Sequence, residues 1–185
     1  MLAELLLMAL VLVIIAAITA YTAITGISPL PSTRLGREAV LAALPEAPQG
    51  AIIEAGSGWG TLAFALARRR PGSRVIGYEL SPLPWAFSQL RRLIQPAPNL
   101  RLYRRDLLRA SYAEAGVVVC YLHAEALERL QPKLEAELPA GALVISNTFR
   151  LHRWRPAAVL HPPASIDAPV YVYRVPEAYT SWGAV

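Results

Sequence analysis

Cysteine and lysine are almost absent from this chain of 185 residues: each occurs once, at Cys120 and Lys133. A single cysteine cannot form an intrachain disulfide, and it cannot supply the thiolate pairs of a zinc cluster. We therefore expect no disulfide framework and no metal site. The low cysteine content agrees with a reducing compartment.

Acidic residues are also scarce, since 13 Asp and Glu stand against 18 Lys and Arg and leave a net charge of +5. The basic residues are almost all arginines, with clusters at positions 68–70, 91–92, 104–105 and 150–155. A solvated surface is the simpler interpretation of these clusters. The alternative is attraction to anionic lipid headgroups, worth about 1 kcal/mol per residue near a membrane. No motif of a nucleic-acid reader accompanies the charge, so no nucleic-acid partner is expected.

Charged residues are missing from a long N-terminal run. Between Leu5 and Ile24 the chain is apolar apart from two threonines and one tyrosine, and its length matches the about 20 residues that cross a bilayer core as a helix. A secretory signal peptide would need a basic N-terminal region and a small-residue cleavage site, which this segment lacks. A buried core helix would rarely lack a polar face over this length. The run therefore predicts one transmembrane anchor.

The charges on either side of this run predict its orientation. Glu4 precedes it, whereas Arg34 and Arg37 follow it. The positive-inside rule places the following chain on the cytoplasmic, or an equivalent inner, face of the membrane. We expect the anchor at residues 1–25, a hinge and leading helix at 26–48, one catalytic domain at 49–176 and a loose tail at 177–185.

Hydrophobic periodicity predicts alternating strands and helices along the domain. Strands are expected at 51–54, 74–79, 99–103, 116–122 and 142–147, and helices at 35–44, 61–69, 81–94 and 124–138. Pro132 is expected to kink or split the last helix, and the alternating segment 170–175 is expected to be an edge strand. This order predicts an α/β fold with a Rossmann-like, doubly wound and mostly parallel sheet.

The loop after the first predicted strand contains three glycines, in the order Glu54-Ala-Gly-Ser-Gly-Trp-Gly60. Glycines let backbone N–H groups approach a ligand closely, because no Cβ stands in the way. A dinucleotide fingerprint would place its third glycine at position 61, which is a threonine. The spacing instead resembles the first motif of the methyltransferases that bind S-adenosylmethionine. A tight strand–helix turn without a ligand is the alternative.

Three acids stand at or just after the ends of predicted strands: Glu54, Glu79 and Asp106. In an open α/β sheet, ligands bind beyond the carboxyl ends of the strands. The Glu79 carboxylate can accept hydrogen bonds from both hydroxyls of a ribose, and the methyltransferase resemblance implies that Glu54 binds the methionine amino group and Asp106 the adenine amino group. Each acid alone has a simpler interpretation, as a helix cap for Glu54 and as an arginine partner for the other two. The residues expected to bind the cofactor are Glu54, Ala55, Gly56, Ser57, Gly58, Gly60, Tyr78, Glu79, Leu80, Asp106 and Leu107.

Several segments together resemble one family. They are Pro29–Thr33, Glu54–Gly60, Gly77–Pro82 with Trp85, Leu127–Leu138, Asn147–Phe149 and Trp154. The pattern resembles the small membrane-anchored lysine methyltransferases of mitochondria, whose substrates are the ATP synthase c-subunit and the adenine nucleotide translocator, and their prokaryotic relatives. This resemblance implies a class I methyltransferase fold, S-adenosylmethionine as cofactor and a lysine of a membrane protein as acceptor. Three features depart from the pattern: Glu54 stands where aspartate is usual, Trp59 replaces an acidic residue, and the region after the fourth strand reads Cys120-Tyr-Leu-His123.

The acceptor is expected beside the cofactor, near the ends of the fourth and fifth strands. The residues assigned to it are Pro31, Ser32, Thr33, Tyr121, Asn147, Phe149 and Trp154, with core packing as the alternative for the last two. His123 and His152 are candidate bases, although surface positions are the simpler interpretation, and no general base is assigned. No Asp/Asn-Pro-Pro-Tyr sequence follows the fourth strand, which argues against methylation of nucleic-acid bases. A small lipophilic acceptor and a non-catalytic interaction module are the alternatives.

Overall fold

The computed structural model describes residues 1–9, 12–13, 16, 34–162 and 168–180. The chain divides into two compact units, Met1–Leu30 and Pro31–Val185. In the first unit, residues 2–9 are helical. Within the described residues, no helix is both long and apolar enough to cross a bilayer. Most of the predicted anchor and the whole segment 29–33 lie outside the described residues.

The described part of the second unit is built on a seven-stranded sheet with the order β3-β2-β1-β4-β5-β7-β6. The strands are β1 (Ala51–Ala55), β2 (Val75–Glu79), β3 (Leu100–Arg104), β4 (Ala115–Cys120), β5 (Leu143–Asn147), β6 (Ala158–Leu160) and β7 (Val170–Arg174). The first five strands are parallel to one another, and β7 runs antiparallel to both β5 and β6. The predicted mostly parallel α/β sheet is confirmed.

Helices cover both faces of this sheet. They are α1 (Arg34–Ala43), α2 (Thr61–Arg69), α3 (Pro82–Ile94), α4 (Ala124–Glu137) and α5 (Glu177–Thr180). On one face α1 and α2 bury side chains such as Val40 and Leu66 against the sheet. On the other face α4 buries leucines three and four positions apart, at Leu127, Leu130 and Leu134, which is the spacing of one apolar helical stripe.

The two C-terminal strands differ from the sequence prediction. The segment predicted as an edge strand is β7, which lies inside the sheet between β5 and β6. The edge strand on this side of the sheet is β6, which the sequence did not predict. Its three residues, Ala158–Leu160, are apolar in sequence but exposed or half-buried in the fold, and so short a run does not identify a strand by periodicity.

Two further expectations need correction. Pro132 does not split α4, which is continuous from Ala124 to Glu137; the proline ring lies on the exposed side of the helix. Residues 177–180, which were expected to belong to a loose tail, form α5. This short helix is held in place because Ala178 is buried and its carbonyl accepts a hydrogen bond from the Arg155 N–H at 2.8 Å.

Gly77 lies at the closest contact between β2 and its neighbours. A Cβ at this position would lie 2.7 Å from Leu102 Cδ2 and 2.9 Å from Ser57 Cβ. We expect Gly77→Ala to lower the free energy of unfolding by about 1–3 kcal/mol, because the extra methyl overpacks the core. Gly72→Ala is the matched control, since a Cβ there has no atom within 4 Å. Urea denaturation checks the prediction, and equal midpoints for the two variants would contradict it.

Candidate functional site

The strand order reverses direction between β1 and β4. From β1 the chain proceeds outward to β2 and β3, and then crosses to β4 on the opposite side. In open α/β sheets, ligands bind in the crevice beyond the carboxyl ends of the strands at such a switch point. The loop from β1 to α2 and the turn from β2 to α3 both leave the sheet at this edge. The candidate site therefore begins with these two connections.

The glycine loop after β1 is shaped by left-handed backbone conformations. Gly56 has a φ of 81° and Gly58 a φ of 50°, a region that L residues with a Cβ rarely adopt. A Cβ at Gly56 would lie 2.9 Å from Leu122 Cδ2, whereas a Cβ at Gly58 would meet no atom within 4 Å. At Gly56 the loop therefore packs against Leu122, which follows β4. At Gly58 the loop is open. A ligand can approach the backbone on the open side.

The Glu79 carboxylate ties this loop to the end of β2. One oxygen, Oε2, accepts a hydrogen bond from the Gly58 N–H at 2.7 Å. The other, Oε1, accepts from the Ser81 N–H at 2.7 Å. An ionised carboxylate has about four acceptor positions, so these two bonds leave acceptor positions for a diol. The sequence predicted the acceptor role of Glu79 but not its bond to the glycine loop.

Glu54 is a buried carboxylate, and only 4% of the residue is exposed. Its Oε2 atom has no hydrogen-bond partner among the described residues. Burial raises the pKa of Glu54 well above its ordinary value, and the nearby charge of Glu79 raises it further; a hydrogen bond from the Ala63 backbone opposes both effects. Ala63 lies in the first turn of α2. Glu54 therefore acts partly as a helix cap, which was the simpler interpretation of this residue from the sequence. Its second oxygen is an acceptor suited to a cation.

Asp106 lies two residues beyond β3, at the same edge of the sheet as the other two acids. The Arg105 N–H donates to the Glu79 carbonyl at 3.0 Å, which holds the ends of β2 and β3 together. The Asp106 side chain is half-buried and accepts a hydrogen bond from the Leu108 N–H at 2.8 Å. The three predicted acids are therefore gathered at one edge of the sheet.

The remaining predicted cofactor residues differ in exposure. Ala55, Tyr78 and Ser57 have buried side chains, and Ser57 Oγ has no hydrogen-bond partner among the described residues. Leu107 is packed against the core, whereas the Leu80 side chain is exposed. Gly60 begins α2 as its N-cap. Ser57 therefore adds a second buried and unpartnered oxygen to that of Glu54.

The predicted acceptor residues after β5 form a tight turn. Phe149 is 38% exposed, whereas Asn147 is buried. Between them Thr148 has a φ of 74°, a strained value for a β-branched residue. The Ser146 hydroxyl donates to the Phe149 carbonyl at 2.6 Å, and the Thr148 N–H donates to the Pro169 carbonyl at 2.9 Å. Thr148 is a candidate site residue that the sequence did not indicate, because backbone strain leaves no mark in composition or periodicity.

Trp154 is a core residue, which was the alternative to its predicted role in the acceptor channel. It is fully buried, its indole N–H donates to Glu135 Oε1 at 2.6 Å, and its ring contacts that of Tyr173 at a centroid distance of 5.6 Å. It therefore belongs to the core beneath α4. Among the other predicted residues, Tyr121 is half-buried after β4, and Pro31–Thr33 lie outside the described residues.

The two candidate bases also differ in position. His123 is half-buried at the N-cap of α4, at the same edge of the sheet as Tyr121. His152 is exposed, as its simpler interpretation expected.

Comparison with known proteins identifies the family. Residues 54–158 match the ANTKMT methyltransferase domain. The chain belongs to this methyltransferase family. The resemblance predicted from the sequence motifs is thereby confirmed, and the matched region includes the glycine loop, all three acids and the turn after β5.

Two relatives in Mus musculus carry lysine methyltransferase names. The chain is 36% identical over 127 residues to the adenine nucleotide translocase lysine N-methyltransferase, a match covering 66% of this chain and 53% of that protein. It is 34% identical over 110 residues to the lysine N-methyltransferase of the ATP synthase c-subunit, a match covering 58% of this chain and 43% of that protein. The chain thus spans about half the length of the curated relatives it matches.

A solved structure supports the fold and the methyl donor. The RNA methyltransferase from Salinibacter ruber in complex with S-adenosyl-L-homocysteine superposes with a TM-score of 0.72 at 26% identity, covering 80% of this chain and 95% of that one. The fold is therefore that of the class I methyltransferases. Together with the methyltransferase domain, this neighbour implies S-adenosylmethionine as the methyl donor.

Proposed function

We propose that this chain transfers a methyl group from S-adenosylmethionine to a lysine of a membrane protein. The observation that carries the proposal is the buried Glu54 carboxylate beside the glycine loop at the switch point, whose Oε2 atom has no hydrogen-bond partner among the described residues. The lysine acceptor is supported by the names of the relatives, which refer to the adenine nucleotide translocase and the ATP synthase c-subunit. We further propose that the apolar N-terminal run holds the enzyme at the membrane with the domain on the inner face.

The residues at the switch point fit the proposed cofactor. The Glu54 carboxylate would bind the methionine ammonium group, because a cation relieves the cost of a buried charge. Glu79 has acceptor positions for the ribose hydroxyls, and Asp106 would accept from the adenine amino group. The open side of Gly58 provides space against the backbone. When bound, S-adenosylmethionine supplies an electrophilic methyl group on its sulfonium.

The residues after β4 and β5 are proposed to guide the acceptor. A lysine ammonium, with an ordinary pKa of about 10.4, must lose its proton before the amine can attack. Apolar surroundings lower the pKa of an amine, and the half-buried Tyr121 and exposed Phe149 would provide them. The hydrogen bond from Ser146 to the Phe149 carbonyl fixes the turn. Positioning of this kind contributes much of the catalysis in a direct displacement.

RNA is the second candidate acceptor. The Salinibacter ruber neighbour is described as an RNA methyltransferase and is 26% identical, and the chain carries a net charge of +5. Against this candidate, the sequence after β4 is Tyr121-Leu-His123, which offers no Asp/Asn-Pro-Pro-Tyr motif for a base amino group. Protein lysine therefore remains the favoured acceptor, and a small lipophile is a further alternative that a membrane location would suit.

The experiment incubates the full-length chain with methyl-labelled S-adenosylmethionine and membranes from its own source. Labelled protein, lipid extract and RNA are then separated. We expect label in one small membrane-protein band, lost when the modified lysine is replaced. Glu54→Gln serves as the control with weakened cofactor binding. Label confined to the lipid extract or to RNA would contradict the lysine proposal, and label unchanged by Glu54→Gln would contradict the assigned site.

A further inference from the structure

Helix α3 exposes an apolar face that the described fold does not use. Leu83, Phe87, Leu90 and Ile94 recur at intervals of three and four residues, so they form one stripe along the helix. These four and the adjacent Leu93 are between 37% and 79% exposed. The opposite side of α3 attaches to the domain, because Pro84 and Ser88 are buried there and the Gln89 amide donates to the Leu102 carbonyl at 2.8 Å. The apolar stripe therefore faces away from the core of the domain.

This stripe reaches the glycine loop. The Trp59 ring meets the Phe87 ring edge to face, with centroids 5.3 Å apart and an interplanar angle of 82°. Trp59 lies between Gly58 and Gly60. The α3 face, defined here as Trp59, Leu83, Phe87, Leu90, Leu93 and Ile94, thus extends from the candidate cofactor site to the end of the helix.

Arg91 lies beside the α3 face, and arginines of two other helices lie near Arg91. Arg91 of α3 places its guanidinium 4.6 Å from the centroid of the Phe64 ring on α2. Burial lowers the pKa of Arg91, and the nearby guanidinium groups of Arg68 on α2 and Arg37 on α1 lower it further. The sequence of α3 contains no acidic residue. Guanidinium groups gathered in this way give this side of the domain a positive potential, which attracts anions.

We propose that the α3 face docks onto the anionic surface of a lipid bilayer, with its apolar side chains in the acyl boundary and the arginines at the headgroup phosphates. A helix that combines an apolar stripe with bordering basic residues has the pattern of an interfacial membrane helix. A peptide partner would instead be expected to need a groove, whereas these side chains project from the outside of one helix. Docking would bring the glycine loop close to the membrane, because Trp59 of that loop contacts Phe87. The inference goes beyond the proposed function and does not depend on methyl transfer.

The first test places a nitroxide spin label on the α3 face of the full-length chain, through Leu90→Cys. The matched control is Glu128→Cys, an exposed position on α4, which covers the other face of the sheet. The native Cys120 is fully buried, and burial raises the pKa of its thiol to about 12, so it does not compete for the label. Accessibility to dissolved oxygen and to a water-soluble nickel complex is measured with vesicles that contain or lack phosphatidylglycerol.

On anionic vesicles, the label at position 90 should gain accessibility to oxygen and lose accessibility to the nickel complex, while the label at position 128 should remain in water. Equal accessibility at the two positions would overturn the proposal, as would failure of the chain to bind anionic vesicles. Immobilisation of the label without vesicles would overturn it in favour of a second copy of the chain. Burial of the label that required an added membrane protein would overturn it in favour of a protein partner.

A second test separates the arginines near α3 from net charge alone. Arg68→Gln removes one positive charge beside the α3 face, and Arg129→Gln removes one from the exposed surface of α4. Arg68→Gln should weaken the binding that depends on anionic lipid by about 5-fold, the factor that corresponds to about 1 kcal/mol. Arg129→Gln should have a smaller effect. Equal effects of the two variants, with unchanged thermal unfolding, would contradict the assigned face.

Discussion

Glu54→Gln should bind S-adenosylmethionine about 10- to 100-fold more weakly than the wild-type protein and, at neutral pH, be more stable than it. The loss of affinity corresponds to one hydrogen bond to a charged group, about 1.5–3 kcal/mol. The gain in stability, about 1 kcal/mol, follows because glutamine is neutral, whereas the wild-type carboxylate buries a negative charge near Glu79. Isothermal titration measures the affinity for S-adenosylmethionine, and urea denaturation measures the free energy of unfolding. Glu38→Gln, at an exposed carboxylate paired with Arg34, is the control and should change neither by much.

The stability difference between wild type and Glu54→Gln should also depend on pH. The pKa of Glu54 in the folded protein is raised above the ordinary value of 4.5, first by burial and then by the charge of Glu79. The folded state therefore holds this proton to a higher pH than the unfolded state, and wild-type stability falls as the pH rises from about 4.5 through the folded pKa. The stability of Glu54→Gln should not show this decrease, because glutamine does not titrate. Parallel stability curves for the two proteins between about pH 4.5 and 8 would contradict the assignment.

Glu79→Ala should lose both cofactor affinity and stability. The two oxygens of this carboxylate accept hydrogen bonds from the Gly58 and Ser81 backbones, so the variant leaves two N–H groups without their partner. We expect the free energy of unfolding to fall by about 1–3 kcal/mol and the affinity for S-adenosylmethionine to fall by about 10- to 100-fold.

Two neighbouring acids are therefore predicted to change stability in opposite directions. The same titration and denaturation experiments measure both variants. A Glu79→Ala protein with wild-type stability would contradict its loop-fixing role, and one with wild-type affinity would contradict its role in ribose binding. A Glu54→Gln protein less stable than wild type would show that Glu54 has a stronger partner than the Ala63 backbone.

Much of the fold and site follows from local sequence because parallel strands meet at one edge. Once strands are placed before Glu54, Glu79 and Asp106, a doubly wound sheet brings their ends together, and the structure confirms that arrangement. The glycine spacing also predicts a loop whose backbone a ligand can approach closely, an approach that side chains would block. Strong periodicity and the chemistry at strand ends are therefore sufficient for the central features of the site.

The features that the sequence did not predict depend on contacts between distant segments. The position of β7 inside the sheet depends on the short strand β6, whose three residues are too few to indicate a strand by periodicity. The left-handed backbone of Thr148 is imposed by its bond to Pro169 and by the neighbouring Ser146. A tryptophan at position 154 could line a channel or belong to the core. Its hydrogen bond to Glu135 on α4 holds it in the core.

Photochemical crosslinking with peptide mapping tests the central claim most directly, since it asks where S-adenosylmethionine binds to the full-length chain. The chain is irradiated with the methyl-labelled compound, digested with trypsin and searched for label. We predict label in the peptides 38–68 and 75–91, which contain the glycine loop and Glu79, and suppression by excess S-adenosyl-L-homocysteine. Label confined to peptides that lack both segments, or no suppressible label at all, would contradict the account.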